Sequence, residues 1–224
     1  KKQRIGILGD YDVDGATSSS ILKLFFDHYN IQTEVYIPDR LKEGYGPNKL
    51  AIDFFSNEGI DTFITVDCGA TSIEPMIYAK SKGMNSIIID HHKVDNDLPV
   101  SYAHINPSRE EDSSGLNDLA AVGLTFIFII GLRRAIRDKN IFPDVKEPSL
   151  KQYLDLVALG TVCDVVQLKG LNRGFVKEGI EIISRYSRLG IEALKSIWHR
   201  GAVDADGKSG DGAGIQIEIA PEFF

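Results

Sequence analysis

Only two cysteines, Cys68 and Cys163, occur in the 224 residues, and they lie far apart in the chain. That scarcity argues against a disulfide framework and suits a reducing cytosol, so a cytoplasmic location is expected. No apolar run reaches membrane-spanning length, the longest being Ala120 to Leu132, and no membrane association is expected. The opening residues carry no signal-peptide pattern. An overall basic surface is also missing, the formal net charge being −7. Nucleic acid is not thereby excluded: a local basic groove can coexist with an acidic total, and metal-binding carboxylates inflate the acidic count. There is no initiator methionine before Lys1, which stands a few residues ahead of a core-like strand, and the expectation is a fragment of a longer protein. The length suffices for one substantial domain, or one domain with an appendage.

What the chain has is a regular alternation of short apolar runs with helical patterns. Strands are expected at Arg4 to Leu8, Gln32 to Ile37, Thr62 to Val66, Ser86 to Ile89 and around Tyr102 to Ile105. Helices are expected at Thr17 to Tyr29, Asn48 to Glu58, Ser72 to Lys82, Leu116 to Asp138, Leu150 to Leu159 and Asn172 to Ser187. The face of the Leu116 to Asp138 segment is too apolar for solvent and should pack against a sheet or another lobe. The pattern predicts an α/β fold: a doubly wound, mainly parallel five-stranded sheet with flanking helices, whose ligands gather at the carboxyl ends of the strands. The polar clusters fall at those ends.

The first cluster is Gly9-Asp10-Tyr11-Asp12-Val13-Asp14-Gly15, directly after the apolar run Ile5 to Leu8. Three carboxylates on alternating residues at the end of a buried strand repel one another unless a cation lies between them. An EF-hand loop would require its bidentate Glu at position twelve, which is Ile21, and a helix in front in place of a strand. A haloacid-dehalogenase-type phosphatase shares strand-Asp-x-Asp-Gly, which Asp12 to Ala16 meets superficially, but has no use for a histidine pair. A two-metal hydrolase needs Asp and His ligands from several strand ends. Asp90-His91-His92 follows the run Ile87 to Ile89, and Asp67 follows Thr65-Val66, so three successive strand ends offer carboxylate or imidazole. That pattern selects the two-metal hydrolase. A further aspartate, Asp164, is expected in a turn formed by Gly160 to Val166.

With those residues in hand, the chain resembles the DHH phosphoesterases, whose four motifs match Asp10 to Gly15, Val66-Asp67-Cys68-Gly69, Asp90-His91-His92 and Gly160-Thr161-Val162-Cys163-Asp164. Pro38-Asp39-Arg40, Glu43 to Gly46, Ile105-Asn106-Pro107 and Leu119 to Gly123 are similar to the RecJ-type branch, whose members degrade single-stranded DNA from the 5′ end. The resemblance covers about residues 3 to 195. It implies Asp12 as ligand of a first metal and Asp14 of a second, with Asp67 bridging both. His91 and Asp164 would complete the second, and Asp10 would sit near the first as ligand or neighbour. His92 would face the phosphate, and Arg40 would contact phosphate or serve a structural ion pair. Carboxylates mixed with one or two imidazoles favour two Mn²⁺ or Mg²⁺ ions. Such a pair activates water for in-line attack on phosphorus and neutralises the developing charge. Cys68 and Cys163 are expected to be small packing residues beside the ligands.

The implied activity is 5′→3′ exonuclease action on single-stranded DNA in repair and recombination, impaired by the absence of the further domains such enzymes carry. Two other readings are a DHH phosphoesterase acting on short oligonucleotides or cyclic dinucleotides, and a metal- or partner-binding module without turnover. Lys177, Arg185 and Arg188 are expected to form a solvated helix face. Nothing fixes an oligomeric state. From about Trp198 the texture changes to Gly/Asp-rich sequence with a strand-like Gly214 to Ile219, and Trp198 to Ile215 resembles the amidotransferase domain of the glutamate synthase large subunit. The domains expected are therefore a catalytic domain over residues 1–190 and a foreign tail over 191–224, joined artificially. Gly207-Lys208-Ser209 is no P-loop, since Ala202 stands where the first glycine belongs and Asp204 and Asp206 would repel phosphate. The tail also lacks the N-terminal cysteine that glutamine hydrolysis requires, and it is expected to be inert.

Overall fold

The computed structural model describes residues 4–94, 97–185 and 188–196. The tail from Trp198 with its strand-like Gly214 to Ile219, and Lys1, lie outside the described residues. The chain divides into two units, Lys1–Gly179 and Ile180–Phe224.

In the first unit the strands are β1 (Ile5–Gly9), β2 (Thr33–Tyr36), β3 (Thr62–Val66), β4 (Asn85–Ile89) and β5 (Ala103–Ile105), all parallel, in the order β2-β1-β3-β4-β5. The helices are α1 (Val13–His28), α2 (Lys49–Asn57), α3 (Ile73–Ser81), α4 (Ala121–Asp138) and α5 (Leu154–Cys163), the last preceded by a 3₁₀ turn at Leu150–Tyr153, followed by α6 (Gly170–Arg185). The second unit is described at the end of α6, where Glu181 pairs with Arg185, and in α7 (Leu189–Ser196). No described helix is long and apolar enough to cross a membrane.

Alternation along the strands divides the core into two layers. Leu8, Phe63 and Ile88 point to one face, where they are packed with Ile52 and Phe55 of α2 and Met76 and Ala79 of α3. Their neighbours Ile7, Val66 and Ile89 are equally buried on the other face, as are Ile21, Leu22 and Phe25 of α1, Ile129 of α4 and Val157 of α5. Helices α1, α4 and α5 pack on one another, and α4 also meets β3 and β4. The apolar α4 segment thus packs against sheet and helices, as its composition predicts.

Three local differences from the sequence expectations bear on the site. Helix α1 starts at Val13, four residues early, because the Asp12 side chain accepts the Gly15 N–H at 2.9 Å and caps it. The acidic turn is therefore the first turn of a helix. Helix α4 starts at Ala121, later than Leu116, and no side chain of its own caps it. Residues Gly160 to Cys163, expected in a turn, close helix α5 with Asp164 as C-cap. Gly160 is there for contact: a Cβ on it would lie 2.4 Å from Thr17 Oγ1 and 2.8 Å from Val122 Cγ1. Its bareness lets α5 press against both α1 and α4.

Candidate metal centre

The sheet register lays out the site. Gly9 pairs with Val66, Val66 with Ile89, and Ile89 with Ile105. One residue further on, Asp10 N–H donates to Val66, Asp67 N–H to Ile89 and Asp90 N–H to Ile105, at 3.3, 3.0 and 3.0 Å. Asp10, Asp67, Asp90 and Asn106 thus form a row just past the carboxyl ends of β1, β3, β4 and β5. The order β2-β1-β3 reverses direction between β1 and β3, the crevice where open α/β sheets bind ligands. Gly15 brings α1 down onto this row, since a Cβ there would meet the Asp10 carbonyl oxygen at 2.5 Å.

Every residue expected to hold a metal arrives in that crevice. Potential ligand atoms of Asp10, Asp12 and Asp67 lie within 4.8 Å of one another, as do those of Asp14, His91 and Asp164, and those of Asp67, His91 and His92. His91 Nε2 is 3.3 Å from Asp67 Oδ1, 3.7 Å from Asp164 Oδ2 and 3.9 Å from Asp14 Oδ2. Asp67 belongs to one group of carboxylates and, through His91, touches the other.

The donor set fits cations. Asp10 Oδ1, Asp67 Oδ1, His91 Nε2 and Asp164 Oδ2 are buried and find no hydrogen-bond partner among the described residues. Four orphaned atoms in one crevice are costly unless a ligand engages them. Electrostatics agree. Burial, with Asp14 and Asp12 adding, pushes the Asp67 carboxyl up to about 10. Burial raises Asp10 and Asp14 to about 6, and also raises Asp164. Carboxylates that resist ionisation beside each other are those a divalent cation would relieve.

Comparison with known proteins agrees with this geometry. Residues 4–161 match the model of the DHH family, N-terminal domain. The chain belongs to the DHH family. It is 34% identical over 201 residues to the single-stranded-DNA-specific exonuclease RecJ of Haemophilus influenzae, covering 89% of this chain and 35% of that protein. A crystal structure of exonuclease RecJ bound to manganese superposes with a TM-score of 0.74 at 31% identity, over 88% of this chain and 48% of that one. This DHH chain thus spans about a third of the length of the curated relative. Residues 181–224 match the class-II glutamine amidotransferases. A stretch of 35 residues of the chain is 71% identical to the glutamate synthase large chain of Azospirillum brasilense, covering 16% of this chain and 2% of that one.

Within the DHH triplet the three residues have different surroundings. Asp90 Oδ1 accepts the N–H of His91 at 2.8 Å and of His92 at 3.1 Å, and lies 2.8 Å from His92 Nδ1; Asp90 Oδ2 accepts the Ala70 N–H at 2.8 Å. Burial pushes Asp90 up, but the His92 imidazole and these N–H groups outweigh it and hold it below its ordinary value. Asp90 in turn raises His92. Asp90 therefore orients a half-exposed His92 through its Nδ1.

Several supporting residues of the DHH site carried no assigned role in the sequence reading. Asn106 Nδ2 donates to the His92 carbonyl at 2.9 Å and Ser108 Oγ to that of His91 at 2.9 Å, so the strand end after β5 braces the histidine backbone. The Tyr45 hydroxyl donates to the Asp67 carbonyl at 2.8 Å. Both Asp14 oxygens accept backbone N–H groups at the start of α4. Pairing of this kind follows from no local pattern, although the resemblance marked Asn106 and Tyr45. Arg40 stacks over the Tyr11 ring, 4.8 Å from its centroid, and forms no ion pair among the described residues. Cys68 packs in the core as expected, whereas Cys163 is exposed, because it ends α5 on the crevice side beside Asp12 and Asp14.

Proposed function

We propose that this chain is the catalytic part of a two-metal phosphodiesterase of the RecJ type, removing nucleotides from single-stranded DNA in the 5′→3′ direction in repair and recombination. The observation that carries it is the contact between Asp67 and His91, which joins two groups of potential ligand atoms, four of them buried without a hydrogen-bond partner among the described residues, into one crevice. In this reading Asp12 holds the first ion, Asp14, His91 and Asp164 the second, and Asp67 both, with Asp10 beside the first. Two bound Mn²⁺ or Mg²⁺ ions would supply a nucleophile at neutral pH and charge neutralisation at phosphorus. The hard carboxylates with one or two imidazoles suit those cations.

The protein side of the work falls to the remaining residues. His92, made more basic by its contact with Asp90, faces a phosphate oxygen, and Arg40, exposed and stacked on Tyr11, gives a cationic contact. The catalytic domain takes in residues 1–190, and residues 191–224 are a foreign segment related to glutamate synthase. Single-stranded DNA is the partner and the cytoplasm the location.

The test is incubation of the purified chain and Mn²⁺ with 5′-phosphorylated single-stranded DNA, short oligoribonucleotides and cyclic dinucleotides. Mononucleotides released from the DNA, and lost in Asp67→Ala and His91→Ala chains that keep their circular dichroism, are expected. Unchanged cleavage in either variant removes the assignment, and products from cyclic dinucleotides alone would redirect the substrate.

A further inference from the structure

We propose that Tyr45 is a positioning residue: its hydroxyl fixes the main chain of Asp67 and thereby sets how tightly the crevice binds its cations. The proposal rests on the reading of Asp67 as the carboxylate shared by two ions.

Asp67 occupies the left-handed region, with φ +60. A residue with a side chain stays there only where its surroundings hold it. Two contacts do so. Its N–H donates to the Ile89 carbonyl at 3.0 Å, continuing the sheet, and its carbonyl accepts the Tyr45 hydroxyl at 2.8 Å. The first fixes where the strand ends; the second fixes how the peptide beyond it is turned, and with it the direction of the Asp67 side chain. His92 Nδ1 is 3.4 Å from the same hydroxyl but is already engaged by Asp90 at 2.8 Å, so the carbonyl is the partner that counts.

The loop that delivers Tyr45 is built for it. Glu43 accepts the Tyr36 hydroxyl at 2.6 Å, the Asp39 N–H at 3.0 Å and the Asn48 amide at 3.2 Å. Tyr36 ends β2 and Asn48 caps α2, so one carboxylate ties the loop to both flanking elements. Gly44 and Gly46, at φ +83 and +75, let the chain reverse on either side of Tyr45. The residue is 52% exposed while its hydroxyl reaches inward, so core packing is not what a tyrosine is needed for here.

The experiment is a direct titration of the full chain with Mn²⁺, following free Mn²⁺ by electron paramagnetic resonance, for the unsubstituted protein, Tyr45→Phe and Asp67→Asn. Tyr45→Phe keeps the exposed ring and removes one hydrogen bond, so Mn²⁺ affinity is expected to fall about three- to ten-fold, with the Mn²⁺ concentration for half-maximal cleavage rising in step. Asp67→Asn is expected to lose tight binding. If Asp67→Asn loses it and Tyr45→Phe titrates like the unsubstituted chain, the positioning role is overturned and the metal centre stands. If Asp67→Asn still binds like the unsubstituted chain, the metal reading beneath the proposal falls instead.

Discussion

The carboxylate of Asp14 accepts the backbone N–H of Val122 at 2.8 Å across 108 residues of sequence. Its other oxygen takes the Ala121 N–H at 2.7 Å, so Asp14 does for α4 what no side chain of that helix does. A carboxylate suits the partly positive end of a helix. One residue thus joins α1 to α4 and presents an oxygen toward His91.

Gly160 stands against this joint, and a Cβ there would lie 3.2 Å from Asp14 Oδ1 as well as too close to Thr17 and Val122. Gly160→Ala is expected to cost about 1–3 kcal/mol of stability, because packed helices must separate to admit the methyl group. Displacing Asp14 should also weaken Mn²⁺ binding. Chemical denaturation and Mn²⁺ titration of the same variant check both; a destabilised variant with unaltered Mn²⁺ affinity would show that Asp14 does not follow the helix joint.

Proton linkage gives the metal-free protein an unusual pH dependence. Asp67 is raised to about 10, and Asp10 and Asp14 to about 6, so between pH 4 and pH 10 the native state holds more protons than the unfolded chain. Metal-free stability should therefore fall as pH rises through that window. His92, also raised, contributes in the same sense, its stabilisation fading as pH climbs through its folded value. Asp90, held low, acts oppositely but only near its depressed value, where its stabilisation is lost as pH falls. Saturating Mn²⁺ should flatten the decline and release protons on binding, measurable by calorimetry in buffers of different ionisation enthalpy. Asp67→Asn, a neutral replacement, should raise metal-free stability at pH 8 and remove most of its decline with pH, while losing the metal. A metal-free chain that grows more stable from pH 5 to pH 9 would contradict this account.

Asp90→Asn should separate orientation from metal binding. The His92 imidazole loses the carboxylate that raises it, and its pKa, followed by nitrogen-resolved NMR, should fall. Cleavage at pH 8 is expected to drop about 10–100-fold, the usual cost of removing a group that orients a working histidine. An unshifted His92 titration would mean that Asp90 matters only for the Ala70 and histidine N–H groups.

Much of this was legible beforehand because β strands and their polar ends are local features. The Thr62 to Val66 strand has the expected limits, and Asp67 and Asp90 were recognisable as the residues immediately after buried runs. Asp12 as a helix cap was less visible, since the acidic turn reads as a loop until the Gly15 N–H is seen to turn back on it. Helix α4 starts five residues later than its apolar pattern suggests because its cap belongs to another element. Gly160 looked like a turn signal, yet its use is the close passage of three helices.

The sequence by itself determined the carboxylates and imidazoles, the places of Asp10, Asp67 and Asp90 at strand ends and the parallel α/β frame, because periodicity two and 3.6 and charge beside apolar runs are written in neighbouring residues. Only the tertiary structure decided which of those groups meet. It set His91 between Asp67, Asp14 and Asp164, turned Asp67 against the Tyr45 hydroxyl and hung α4 from Asp14. Those contacts depend on strand register and helix packing between segments far apart in the chain, and no local pattern encodes such distances.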